Sequence, residues 1–212
     1  MLDLTQITAF LAAAIALTLM PGPDIIFVAA QSMSRSRLSG IAVALGLCTG
    51  LIIHTGAAAL GISAVIASSQ TAFPLVKILG SLYLLYLAWS AWRNRNIVTD
   101  ATLPRARADK RSGFFHLYRR GIVMNLFNPK VLLFFLALLP QFTDVEKGAL
   151  PLQMLQLGFL FIAVAIVIFC SVSLFSSYLG HMLTNRSSRW SKRLAVIEAL
   201  IYLLLALNIV FL

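Results

Sequence analysis

Charge is scarce in this sequence. Asp, Glu, Lys and Arg make up 11% of it, against 60% hydrophobic residues, where a soluble globular domain carries about a quarter charged. With a mean hydropathy of +0.91, that shortage excludes an ordinary water-soluble domain and leaves nowhere for a separate soluble enzyme to sit. Cysteine is nearly absent too. Cys48 and Cys170 stand inside apolar stretches with no CxxC pair or Cys/His cluster, so both read as small buried core residues. Also missing are a Walker loop, a dinucleotide fingerprint, HExxH and GxSxG. Nothing here hydrolyses ATP, so any pumping draws on an ion gradient or a partner. No basic residue precedes Arg35; a signal peptide needs a positive n-region, so the first apolar segment reads as an uncleaved span.

What remains is apolar length. Periodicity and breakers divide the chain into six spans, at about 4–30, 40–67, 73–92, 119–141, 152–180 and 194–212, each near the roughly 20 residues needed to cross a bilayer. The net charge of +10 then has an address. Fourteen of the seventeen Lys and Arg residues fall in the first, third and fifth connectors. By the positive-inside rule those connectors are cytoplasmic and both termini lie outside. The basic stretch 93–118 is thus a topology determinant that also suits anionic lipid, and it lacks the aromatic interleaving of a nucleic-acid binder. Three spans per half, entering from opposite sides, make residues 1–92 and 119–212 two inverted three-helix repeats joined by that linker. The expected fold is an all-α membrane protein forming a single transporter domain over 1–212.

Two of the spans are interrupted by proline. The first reads Pro21-Gly22-Pro23-Asp24 and the fourth reads Asn128-Pro129-Lys130, with Pro23 and Pro129 half a chain length apart. Each proline removes an N–H and frees carbonyls, which in lipid must find protein or cavity water. Gly22 allows close approach of a backbone or ligand, and a helix restarting after Pro23 or Pro129 presents free N–H groups suited to a carboxylate. Discontinuous helices at corresponding points of two halves are the best sequence pointer to a transporter's substrate site. Asp24 is the only acid within the first three spans, at an insertion cost of about 2.5–3.5 kcal/mol. Lys130 is its complement, as ion-pair partner or as a grip on a substrate carboxylate.

The second span carries Ala42, Gly46, Gly50, His54 and Ala58 at steps of four, a small-residue stripe on which another helix can pack closely. His54 reads equally as a proton relay or as a hydrogen-bonded interhelical histidine. Glu198, a second intramembrane acid close to Arg193, can snorkel to the interface and is not expected at the centre. Tyr83, Tyr86, Trp89 and Trp92 suit an interfacial belt.

With those residues in view, the chain resembles the LysE/RhtB family of bacterial amino-acid exporters, in its threonine/homoserine-type branch. The resemblance runs through Pro21-Gly22-Pro23-Asp24, Gly40, Gly46, Thr49-Gly50, His54 and Tyr83-Leu84-Leu85-Tyr86-Leu87. It continues through Gly121, Asn125, Asn128-Pro129-Lys130 and Leu139-Pro140-Gln141-Phe142. The last span departs from the family pattern, having no glycine after Gly180.

The resemblance implies a multi-pass protein of the bacterial inner membrane that exports threonine, homoserine, homoserine lactone or similar neutral zwitterions by exchange with protons. It needs no cofactor or resident metal. Its partners would be the amino acid, protons and bilayer lipid, with a homo-oligomer admitted. The expected substrate- and ion-binding residues are Asp24, Lys130, Pro21, Gly22, Pro23, Asn125, Asn128, Pro129 and His54. Competing readings are efflux of a metal ion or other small solute, and a membrane-embedded enzyme or redox relay. The first wants clustered metal ligands, the second paired cysteines or a convergent His/acid set, and the sequence scatters all of these.

Overall fold

A computed structural model describes residues 2–20, 22–62, 64, 72–94, 113–144, 147–179, 196, 199–200, 203–204 and 206–207. Among them there is helix and no strand. Seven α-helices follow in order: α1 (Leu4–Leu19), α2 (Pro23–Ser34), α3 (Arg37–Ala57), α4 (Ala72–Asn94), α5 (Phe114–Leu126), α6 (Pro129–Leu133) and α7 (Leu150–Leu179). α3 runs on into a π-helical turn, Ala58–Ile62, and α6 into a π turn, Phe134–Leu138, and a 3₁₀ turn, Leu139–Phe142.

Two helices are singly long and apolar enough to span a bilayer, Arg37–Gly61 and Leu150–Tyr178, with mean hydropathies of 1.8 and 2.8. Two more spans arise if each broken pair is counted as one: α1–α2 bends by 55° and α5–α6 with its extension by 54°. The breaks expected at Pro23 and Pro129 are therefore real, and nearly equal. α4 contributes a shorter apolar stretch, Ile78–Ser90, and the sixth span expected at 194–212 falls almost wholly outside the described residues. Many large apolar side chains face outward, among them Ile52, Ile53, Leu82, Phe159 and Val167. An aqueous protein does not tolerate that much exposed hydrophobic surface; lipid does.

Helix α5 begins at Phe114, earlier than the apolar run that suggested 119. Arg119 and Arg120, expected in the connector, are helical. Hydropathy locates the lipid-embedded part of a helix, whereas backbone hydrogen bonding continues through the amphipathic turns beyond it. Arg120 shows how the charge is accommodated, its guanidinium lying over the Phe27 ring at 4.5 Å.

The core forms around α3, which packs most extensively on α5 and also on α2 and α7. The small-residue stripe is the reason. A Cβ on Gly121 would stand 2.5 Å from the Val43 carbonyl and 3.1 Å from the Gly46 Cα, while one on Gly46 would overlap the Tyr118 carbonyl. The two backbones touch, as small residues in membrane helices permit.

The ends of the bundle are tied separately. At one, Ser173 Oγ donates to the Arg37 carbonyl at 2.8 Å and lies 2.8 Å from Ser32 Oγ, joining α7, α3 and α2. At the other, Lys147 pairs with Asp3 and Asp144, and Gln153 holds the backbone of Asp144 and Gly148. The start of α1 and the turn before α7 thus share one face, the start of α3 the opposite one, which is the alternation expected of the connectors.

Candidate functional site

Both prolines sit at the first position of a restarted helix, where the missing N–H would have had no intrahelical partner. Gly22 precedes Pro23 in extended backbone and Asn128 precedes Pro129, its Oδ1 accepting from the Lys130 N–H at 3.0 Å. α2 runs from its break toward the Ser32–Ser173 end, and α6 from its break toward the Lys147 end, so the two restart points lie between the tied ends. They line one cavity, with Gly22 and Asp24 on one side and Asn128 and Lys130 on the other.

Asp24 and Lys130 occupy equivalent positions, each the residue after the proline. The helix dipole treats them oppositely: it favours the carboxylate at the start of α2 and disfavours the ammonium at the start of α6. Lys130 is not there to stabilise its helix. Its Nζ lies 3.6 Å from where a Gly22 Cβ would be, so the side chain reaches the first break. Asp24 is buried, and its Oδ2 accepts from Asn128 Nδ2 at 2.8 Å. Its Oδ1 has no hydrogen-bond partner among the described residues, leaving one acceptor for a further donor.

Asn125 is 1% exposed and also borders the cavity. In an unbroken helix its carbonyl would accept from the N–H of residue 129, which proline lacks. It accepts instead from Asn128 N–H at 3.0 Å and from His54 Nε2 at 3.2 Å. A carbonyl only accepts, so that nitrogen carries the proton. The His54 ring packs 5.8 Å from Phe135, one layer behind the cavity.

The cavity measures about 30 Å³, and apolar residues of other helices close it: Leu17 from α1, Leu51 from α3, Phe161 and Phe169 from α7. Sequence reasoning missed these, together with Thr18, because an apolar residue facing a site reads like one facing the core. Of the expected residues, Gly22, Asp24, Asn125, Asn128 and Lys130 meet around the cavity. Pro23 and Pro129 shape its rims and His54 stands behind. Pro21 and Glu198 lie outside the described residues. Cys48 is buried and Cys170 partly buried, and both are free thiols. No three His, Cys, Asp or Glu gather as a metal-type cluster among the described residues.

Apolar helices in which two proline breaks bring opposite charges to one cavity have the arrangement of a membrane transporter's site. Sequence comparison agrees: the chain belongs to the LysE type translocator family, matched over residues 15–211. It is 29% identical over 184 residues to an uncharacterized membrane protein of Vibrio cholerae, covering 87% of each chain. It is 32% identical over 160 residues to a homoserine/homoserine lactone efflux protein of Salmonella typhimurium, covering 76% of this chain and 75% of that one. A leucine efflux protein of Salmonella choleraesuis is 31% identical over 167 residues, covering 77% and 74%. No solved structure matches.

Proposed function

We propose that this protein exports small neutral amino acids or close derivatives, of the homoserine, homoserine lactone, threonine or leucine kind, across the bacterial inner membrane in exchange for protons. The observation that carries the reading is that Asp24 and Lys130, each at the start of a restarted helix, line one cavity. A zwitterion is complementary to it. The substrate ammonium takes the open Oδ1 of Asp24, and its carboxylate takes Lys130 and the N–H groups at a helix start. Both charges line the same cavity, so neither is left facing lipid.

At about 30 Å³ the cavity admits roughly two waters, so an amino acid enters only when the broken helices move apart. The two inverted repeats, 1–92 and 119–212, supply that motion by rocking about the breaks, with both termini outside. The separate ties at the two ends of the bundle support such alternation, since each can open while the other holds. Asp24 takes up a proton as the substrate ammonium leaves to the outside, and gives that proton up inside before the next substrate binds.

Proteoliposomes loaded with a panel of amino acids and given a pH gradient test this. Wild type should release homoserine- or leucine-like substrates down the coupled gradient, and Asp24→Asn and Lys130→Ala should abolish coupled release. Unchanged release in both variants would overturn the assignment.

A further inference from the structure

We infer that His54 is a positioning residue of the translocation site, supplying from α3 the hydrogen-bond donor that Pro129 removes from the broken span. The argument starts from one atom. Pro129 leaves the Asn125 carbonyl without its helical partner, and a carbonyl buried at membrane depth has no bulk water to turn to. The Asn128 N–H reaches it in a tighter turn, and the second partner is His54 Nε2, from a different helix. The donor is aimed by packing. His54 is 6% exposed, its ring against Phe135. One turn earlier, Gly50 has no Cβ because the Asn125 side chain takes that space, at 2.5 Å from where it would be. His54 therefore fixes where α5 stops and where Asn128 begins α6, and Asn128 in turn donates to Asp24 at 2.8 Å. Its bond is to backbone, one step removed from substrate, and the proton on Nε2 is committed to the Asn125 carbonyl.

Glutamine discriminates this role from proton relay, because its Nε2 lies the same number of bonds from Cβ as that of histidine and donates without titrating. His54→Gln should transport with near wild-type KM and an unchanged pH profile. His54→Phe should raise the apparent KM about tenfold, the size expected when a buried carbonyl loses its donor. A His54→Gln variant as impaired as His54→Phe, or one with its pH dependence lost, would overturn the inference, as would wild-type transport by His54→Phe.

The kinetic arm rests on the transporter reading; two others do not. Melting of the purified protein should fall on His54→Phe, and fall less in a Pro129→Ala background, where the restored backbone N–H can serve the Asn125 carbonyl. Equal losses in both backgrounds would overturn the inference. Nitrogen NMR of the labelled imidazole should find the proton on Nε2, and a proton on Nδ1 would refute it.

Discussion

A single methyl group on Gly121 should loosen the seam that carries the site. The added Cβ would stand 2.5 Å from the Val43 carbonyl and 3.0 Å from the Leu47 amide nitrogen, both backbone atoms that no rotamer change can move. Reaching ordinary contact requires α3 and α5 to part by about 0.9 Å, a gap that forfeits a quarter to a half of each dispersion contact along the seam. Overpacking of this kind costs about 1–3 kcal/mol, partly offset by the roughly 1 kcal/mol that alanine gains over glycine in a helix. The expected net loss for Gly121→Ala is therefore up to about 2 kcal/mol. Gly46→Ala should lose at least as much, because its Cβ would overlap the Tyr118 carbonyl.

Gly56 is the internal control, on the same helix as Gly46 with nothing within 4 Å of its missing Cβ. Gly56→Ala should be neutral or stabilising by up to about 1 kcal/mol. Unfolding by SDS titration in mixed micelles, followed by the fluorescence of the three tryptophans, measures all three variants alike. If Gly121→Ala proves as stable as Gly56→Ala, the two backbones do not meet as described and the reasoning fails.

Two other outcomes are expected. Asn128→Ala removes both the donor to Asp24 and the cap on Lys130, at about 1 kcal/mol for the cap and about 1.5–3 kcal/mol for the charged hydrogen bond; substrate affinity and SDS stability should fall together, and a loss of neither would refute the site geometry. At the opposite end of the bundle from Ser173, the Asp3 carboxylate bonded to Lys147 holds its ammonium above the usual lysine range. A raised lysine stabilises the fold below that range and ceases to as pH climbs through the folded value. Wild type should thus lose stability on strong alkalinisation more steeply than Lys147→Ala, most visibly at low salt, and parallel alkaline profiles would dismiss the contact.

Several features were legible in advance because they are written in local chemistry. Pro23 and Pro129 cannot continue a helix, so two bends near 55° follow from covalent structure. The four-residue spacing of Ala42, Gly46, Gly50 and His54 places them on one helical face, and α5 packs there. The true start of α5 is not legible, since Arg119 and Arg120 have the composition of a connector and only the fold sets Phe27 beneath the second of them. The two π turns were hidden as well, because they follow from how helices fit their neighbours rather than from composition.

By itself, then, the sequence determined that this chain is an apolar helical membrane protein with two breaks, an acid after one and a base after the other. Hydropathy, proline stereochemistry and helical period are properties of short stretches. Only the tertiary structure decided that the breaks face each other across one cavity, that Asn128 bonds Asp24, and that His54 serves the Asn125 carbonyl. Those partners lie in different helices, and the distances between them are set by how closely glycine-lined backbones pack.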